Sequence, residues 1–149
     1  MNNISENLGE SDMKIAGLAI CIHGRQFPDS KDYWDANWLN VTVHCGAQGS
    51  SVKASGNIVH LSEIVEFLSS VERVYNGSND KARLSCIEPN LRINLEKENL
   101  GHLRMSIDIT PDHLSQKHNF LFEIDQSYMP RLISECKTIL KKYPIIGKP

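Results

Sequence analysis

Between residues 91 and 109 two short segments alternate strictly. Leu91, Ile93 and Leu95 fall on one side and Arg92, Asn94 and Glu96 on the other, and Leu103, Met105, Ile107 and Ile109 oppose Arg104, Ser106 and Asp108 in the same way. Successive side chains of an extended chain point to opposite faces, so this pattern describes strands of an antiparallel sheet with one dry and one wet face. A dry face cannot stand in water, and another part of the chain has to cover it.

Two amphipathic segments supply the cover. Leu61, Ile64, Val65, Leu68, Val71 and Tyr75 recur at steps of three and four, the spacing of one helix face, and Asn76-Gly77 closes the run, which predicts a helix over residues 61–76. Met129, Leu132, Ile133, Cys136, Ile139, Leu140 and Tyr143 form a second stripe over residues 128–143. There Ser127 suits the N-cap, Pro130 falls in the first turn, Lys137, Lys141 and Lys142 lie toward the negative end of the helix dipole, and Pro144 stops the helix.

The remaining strands read as Lys14 to His23, Trp38 to Cys45, Ser51 to Ile58, Lys81 to Ile87 and His118 to Asp125. The expected fold is therefore α+β: a twisted, mainly antiparallel sheet of about seven strands with two amphipathic helices on one face, in the order three strands, helix, four strands, helix. Residues 1–13, polar and without an apolar run, are expected to form a flexible N-terminal tail rather than a secretory signal, and residues 14–149 a single domain.

Composition narrows the function. A domain of 149 residues buries roughly 70% of the surface its unfolded chain exposes, enough to fold without disulfide or metal. With 16 basic against 18 acidic residues the formal net charge is −2, which gives no electrostatic case for direct nucleic-acid binding. No segment approaches the roughly 18 to 20 apolar residues that span a bilayer. Cys21, Cys45, Cys86 and Cys136 are widely spaced and fall in predicted strands or helices, which points to reduced, mostly buried thiols and a cytoplasmic protein.

The least ordinary stretch is Asp32-Tyr33-Trp34-Asp35-Ala36-Asn37-Trp38, which holds both tryptophans and leads into a strand. Asp and Asn bind backbone amides in turns, so residues 32–37 are expected to be a loop pinned by two indoles, with a neighbouring Asp or Asn accepting the indole N–H. One reading makes this a structural corner. The other makes it a recognition surface, because Trp and Tyr are enriched among the residues that dominate binding energy.

Gln26-Phe27-Pro28, then Asp35-Ala36-Asn37-Trp38-Leu39, then Glu88-Pro89-Asn90-Leu91 together resemble the pattern of the WapI-like immunity proteins, in order and in approximate spacing. The resemblance runs from about Lys14 to Pro144. It implies a small bacterial protein that binds and neutralises a cognate toxin domain, in the best-known cases a nuclease domain at the end of a large polymorphic toxin. The aromatic and acidic loop, read as a recognition surface, makes Asp32, Tyr33, Trp34, Asp35, Asn37 and Trp38 candidate partner-binding residues, and Glu88 and Asn90 join them because the pairing of the two blocks in the resembled family implies that the loops adjoin.

No catalytic motif competes. There is no phosphate-cradling glycine loop, no G-x-S-x-G elbow and no Cys and His signature. His23, His44, His60, His102, His113 and His118 show no ligand-pair spacing and read as surface or half-buried side chains, so neither metal nor cofactor is expected. The sequence thus supports a non-enzymatic immunity protein. A self-associating scaffold, or a module holding a small ligand between the Trp loop and the sheet, is the second class; ligand-dependent stabilisation or a stable oligomer would mark it.

Overall fold

The computed structural model describes residues 11–149. Its strands are β1 (Met13–Ile15), β2 (Leu18–Arg25), β3 (Trp38–Ala47), β4 (Ser50–His60), β5 (Lys81–Ser85), β6 (Leu91–Lys97), β7 (His102–Ile109) and β8 (Asn119–Asp125). The helices are a single turn, α1 (Tyr33–Ala36), and two long ones, α2 (Leu61–Tyr75) and α3 (Met129–Lys142). The fold is α+β, and every strand pairing is antiparallel.

The strands form two sheets of four, ordered β1-β2-β3-β4 and β5-β6-β7-β8, in place of one sheet of about seven. Alternation along a strand reports which side is dry but not which sheet the strand joins, and α2 falls between β4 and β5, where the chain leaves the first sheet. The expected strand from Lys14 to His23 is two, because the chain reverses at Ala16 and Gly17, with Ala16 at a φ of 51°. Of the expected tail, residues 1–10 lie outside the described residues. Met13 is fully buried in β1, and Asp12 accepts the Ile22 N–H at 2.7 Å, so ordered chain begins ahead of residue 14.

One cluster of buried side chains draws on both sheets and both long helices. β3 touches β7 and β8, β4 touches β7, α2 packs on α3 and along β5, and α3 packs on β1. Leu132, Cys136 and Ile139 of α3 are buried, as the expected stripe requires, whereas α2 buries Phe67 and Val74 with Leu61, Ile64 and Val71 and leaves Val65 and Tyr75, expected on its apolar face, exposed. Ser127 is not the cap of α3: a short 3₁₀ turn, Gln126–Tyr128, intervenes, and Asp125 caps that turn by accepting the Ser127 N–H at 2.8 Å. None of the four cysteines is in a disulfide; burial pushes the Cys45 and Cys136 thiols up to about 12. Such thiols stay protonated and unreactive at neutral pH.

Candidate recognition site

Asp32 starts the site. Its Oδ2 accepts the backbone N–H groups of Trp34 and Asp35, both at 3.1 Å, which turns the expected loop into the one-turn helix α1. Asn37 ends that turn and is fully buried. Its Nδ2 donates to the carbonyls of Tyr33 (2.7 Å) and Ile146 (2.9 Å), its Oδ1 accepts the Ile146 N–H (2.9 Å), and its own carbonyl accepts the Leu61 N–H at 2.8 Å. Arg25 secures the same corner by donating to the carbonyls of Ala36 (2.8 Å) and Pro144 (2.5 Å). The C-terminal segment is thereby tied to α1.

At the centre lies His60, the last residue of β4, with no exposed surface. A bulge where β3 passes from Leu39 to Asn40 shifts the register so that His60 pairs with Trp38 and faces the same side of the sheet. The Ser62 N–H, which can only donate, bonds Nδ1 at 3.2 Å, so Nδ1 is an acceptor and the ring proton lies on Nε2, where it donates to the Trp34 carbonyl at 3.0 Å. Trp34 stacks on the imidazole (centroids 4.7 Å apart, 27° between planes), and Trp38 meets it edge-on (5.0 Å, 83°). Tyr33 tilts against it at 5.7 Å, and the two indoles form a T-shaped pair at 5.8 Å.

Glu63 ties this cluster to the second loop. Its two carboxylate oxygens accept the N–H groups of His60 and Ile87, each at 2.8 Å, and the Cys86 thiol donates to it as well. Burial raises the Glu63 pKa above its usual range, against the lowering effect of these donors. Burial, with the Glu63 charge beside it, pushes the Cys86 thiol up too.

The eight expected residues therefore divide. Trp34 is 46% exposed, Asp32 and Asp35 are exposed, and Tyr33 is half-buried, so these four present a surface. Trp38, 6% exposed, and Asn37 are scaffold beneath it. Glu88 is half-buried and follows Ile87, whose N–H bonds to Glu63. Asn90 belongs elsewhere: its Nδ2 donates to the Thr110 carbonyl at 2.8 Å and fastens the chain after β7. Asp and Asn side chains do not accept the indole N–H groups among the described residues, because Asp32 and Asn37 are committed to backbone groups.

Sequence reasoning placed His60 among surface or half-buried histidines and did not single out Glu63 or Arg25. The signal for the first two was Glu63 standing three residues after His60 at the start of a helix, the spacing of a capping box with histidine in place of the usual Ser or Thr. Among the described residues, no cluster of His, Cys, Asp and Glu could hold a metal ion, and no helix is long and apolar enough to cross a membrane.

Fold and site define an α+β protein that carries a buried polar and aromatic hub under a half-exposed tryptophan. The chain belongs to the immunity protein WapI-like family, whose model matches residues 10–144. Membership supports an immunity function. None of the curated proteins matches the chain. Among solved structures, it is similar to the plant transcriptional regulator PBF-2, with a TM-score of 0.49 and 13% identity over 85% of this chain and 75% of that one. It is also similar to WHY3 from Arabidopsis thaliana, with a TM-score of 0.48 and 13% identity over 88% and 85% of the two chains. At that identity the likeness says nothing of function.

Proposed function

We propose that this protein binds a cognate toxin domain in the cytoplasm and neutralises it by covering its active site or the approach to it. The family match over residues 10–144 carries the reading. The corner supports it: Trp34 offers a large, rigid contact area whose geometry is set before any partner arrives, since the ring beneath it is buried and hydrogen-bonded at both nitrogens. Preorganised aromatic anchors of this kind concentrate binding energy. Trp34 is the proposed anchor, with Tyr33, Asp32 and Asp35 around it and Glu88 at the margin; Asn37 and Trp38 act by holding it in place.

The test is recovery of the tagged chain from its native host, followed by co-expression with whatever toxin domain is encoded beside it. A one-to-one complex, rescue of growth, and loss of both in a folded Trp34→Ala variant are the expected results. Recovery of the chain alone, with no rescue, would sink the proposal. Self-association is the second reading, and it rests on edge strand β8, where Leu121 is 66% exposed. A concentration-dependent dimer that Leu121→Lys abolishes would favour it.

A further inference from the structure

A groove of about 820 Å³ runs between the outer side of α2 and the wet face of the second sheet. It exists because α2 lies along the free edge of β5: the Ser70 hydroxyl accepts the Arg83 N–H at 3.3 Å and donates to the Phe67 carbonyl at 2.8 Å. With that edge position occupied, an incoming chain cannot add a strand there and has to bind through side chains.

The charges in the groove are unequally matched. Lys81 pairs with Glu96 at 3.3 Å, and Arg104 lies between Glu98 (3.3 Å) and Glu123 (3.9 Å). Arg73 and Arg83 have no carboxylate partner among the described residues, and both are held by neutral groups instead. Arg73 donates to the Ser69 hydroxyl at 2.7 Å, and Arg83 donates through Nε to the side-chain Oδ1 of Asn94 at 2.9 Å. Each guanidinium is thus oriented while its other donors stay free. Against them the groove sets one carboxylate without an ion pair, Glu66, because Glu63 turns its oxygens inward to His60 and Ile87.

We infer that this groove takes an acidic segment of a protein partner, with partner carboxylates on Arg73 and Arg83. A planar guanidinium accepts a carboxylate through two parallel hydrogen bonds, and orienting it beforehand removes part of the ordering cost. The inference rests on the protein-binding reading above but uses a different surface from Trp34, so a partner can be held at two places.

Fluorescein-labelled hexaglutamate, titrated into the full chain at low ionic strength and followed by anisotropy, tests it. Saturable binding is expected, with none for hexaglutamine, and the affinity should fall about tenfold or more when Arg73→Gln and Arg83→Gln are combined. Lys117→Gln, outside the groove, should leave it unchanged, and salt should weaken it. Three results overturn the inference: equal binding to the double variant of unchanged melting temperature, an equal loss in Lys117→Gln, or tripolyphosphate binding tighter than hexaglutamate, which would make the groove a phosphate site. No toxin enters this titration, so the immunity reading fails separately, in the growth assay.

Discussion

The stacking of a half-exposed Trp34 on a buried His60 separates two roles that the tryptophans shared in the sequence. Trp38 is core, and Trp38→Ala should cost roughly 3–5 kcal/mol in urea unfolding, the usual loss for emptying a buried aromatic site. Trp34→Ala gives up a ring that already meets water on one side, and its stability cost should be well below that of Trp38→Ala while partner binding falls by about 2 kcal/mol or more. A Trp34→Ala variant as unstable as Trp38→Ala would reassign the outer ring to the scaffold. Glu63 gives a second residue-scale expectation. Its folded-state pKa is raised above the ordinary value of 4.5, so the folded chain retains a proton that the unfolded chain has released. Stability should therefore fall as pH rises from 4.5 through the raised value and level off above it. Glu63→Gln should lose that step. It should also be less stable by about 1–3 kcal/mol, because an amide NH₂ would face one of the two N–H donors. Urea midpoints for both chains across that pH range check the sign.

The long helices were legible because their apolar stripes are set by a single period, and α2 and α3 begin and end within two residues of the expected positions. β6 and β7 were legible for the same reason. α1 was not: four residues carry no periodicity, and the turn depends on one carboxylate reaching two backbone N–H groups. The site was half legible. Local sequence marked Trp34, Trp38 and Asp32, whereas the roles of Asn37 and Arg25 depend on Pro144 and Ile146, more than a hundred residues away. That long-range tie is testable. The terminal segment crosses α1 closely enough that a Cβ on Gly147, whose φ is 73°, would stand 3.3 Å from the Tyr33 nitrogen. Removing residues 145–149 should leave Asn37 bonded to Tyr33 and cost little, whereas Asn37→Ala strips that bond as well and should cost about 1–3 kcal/mol. Equal losses in thermal melts would mean that the terminal segment, rather than the amide, holds the corner.

At the scale of the whole molecule, two sheets joined through one core raise the question of whether they fold as one unit. Buried side chains of β2, β3 and β4 belong to the same cluster as those of β6 and β7, and no break in burial separates the halves. The tightest seam is at Gly17, in the turn between β1 and β2. A Cβ placed there would stand 2.1 Å from the Gly46 carbonyl oxygen of the same sheet and 2.9 Å from the Phe122 ring of β8, so a side chain at this turn would collide with β3 and press on the second sheet. The carbonyl is backbone held in β3, and the Gly46 N–H donates to the Gly17 carbonyl at 3.0 Å, so the turn cannot withdraw without losing that bond. Gly17→Ala should destabilise by about 1–3 kcal/mol from crowding alone, with a further loss if the bond breaks. Because one core serves both sheets, that loss should lower a single transition, with tryptophan fluorescence reporting the first sheet and far-ultraviolet dichroism the whole chain at one common midpoint. Two midpoints that move apart in Gly17→Ala would mean that the sheets are separate folding units and that residues 14–149 are not one domain. A common midpoint that shifts as a whole ties the Trp34 corner to the arginine groove thermodynamically, since unfolding either surface then requires unfolding both.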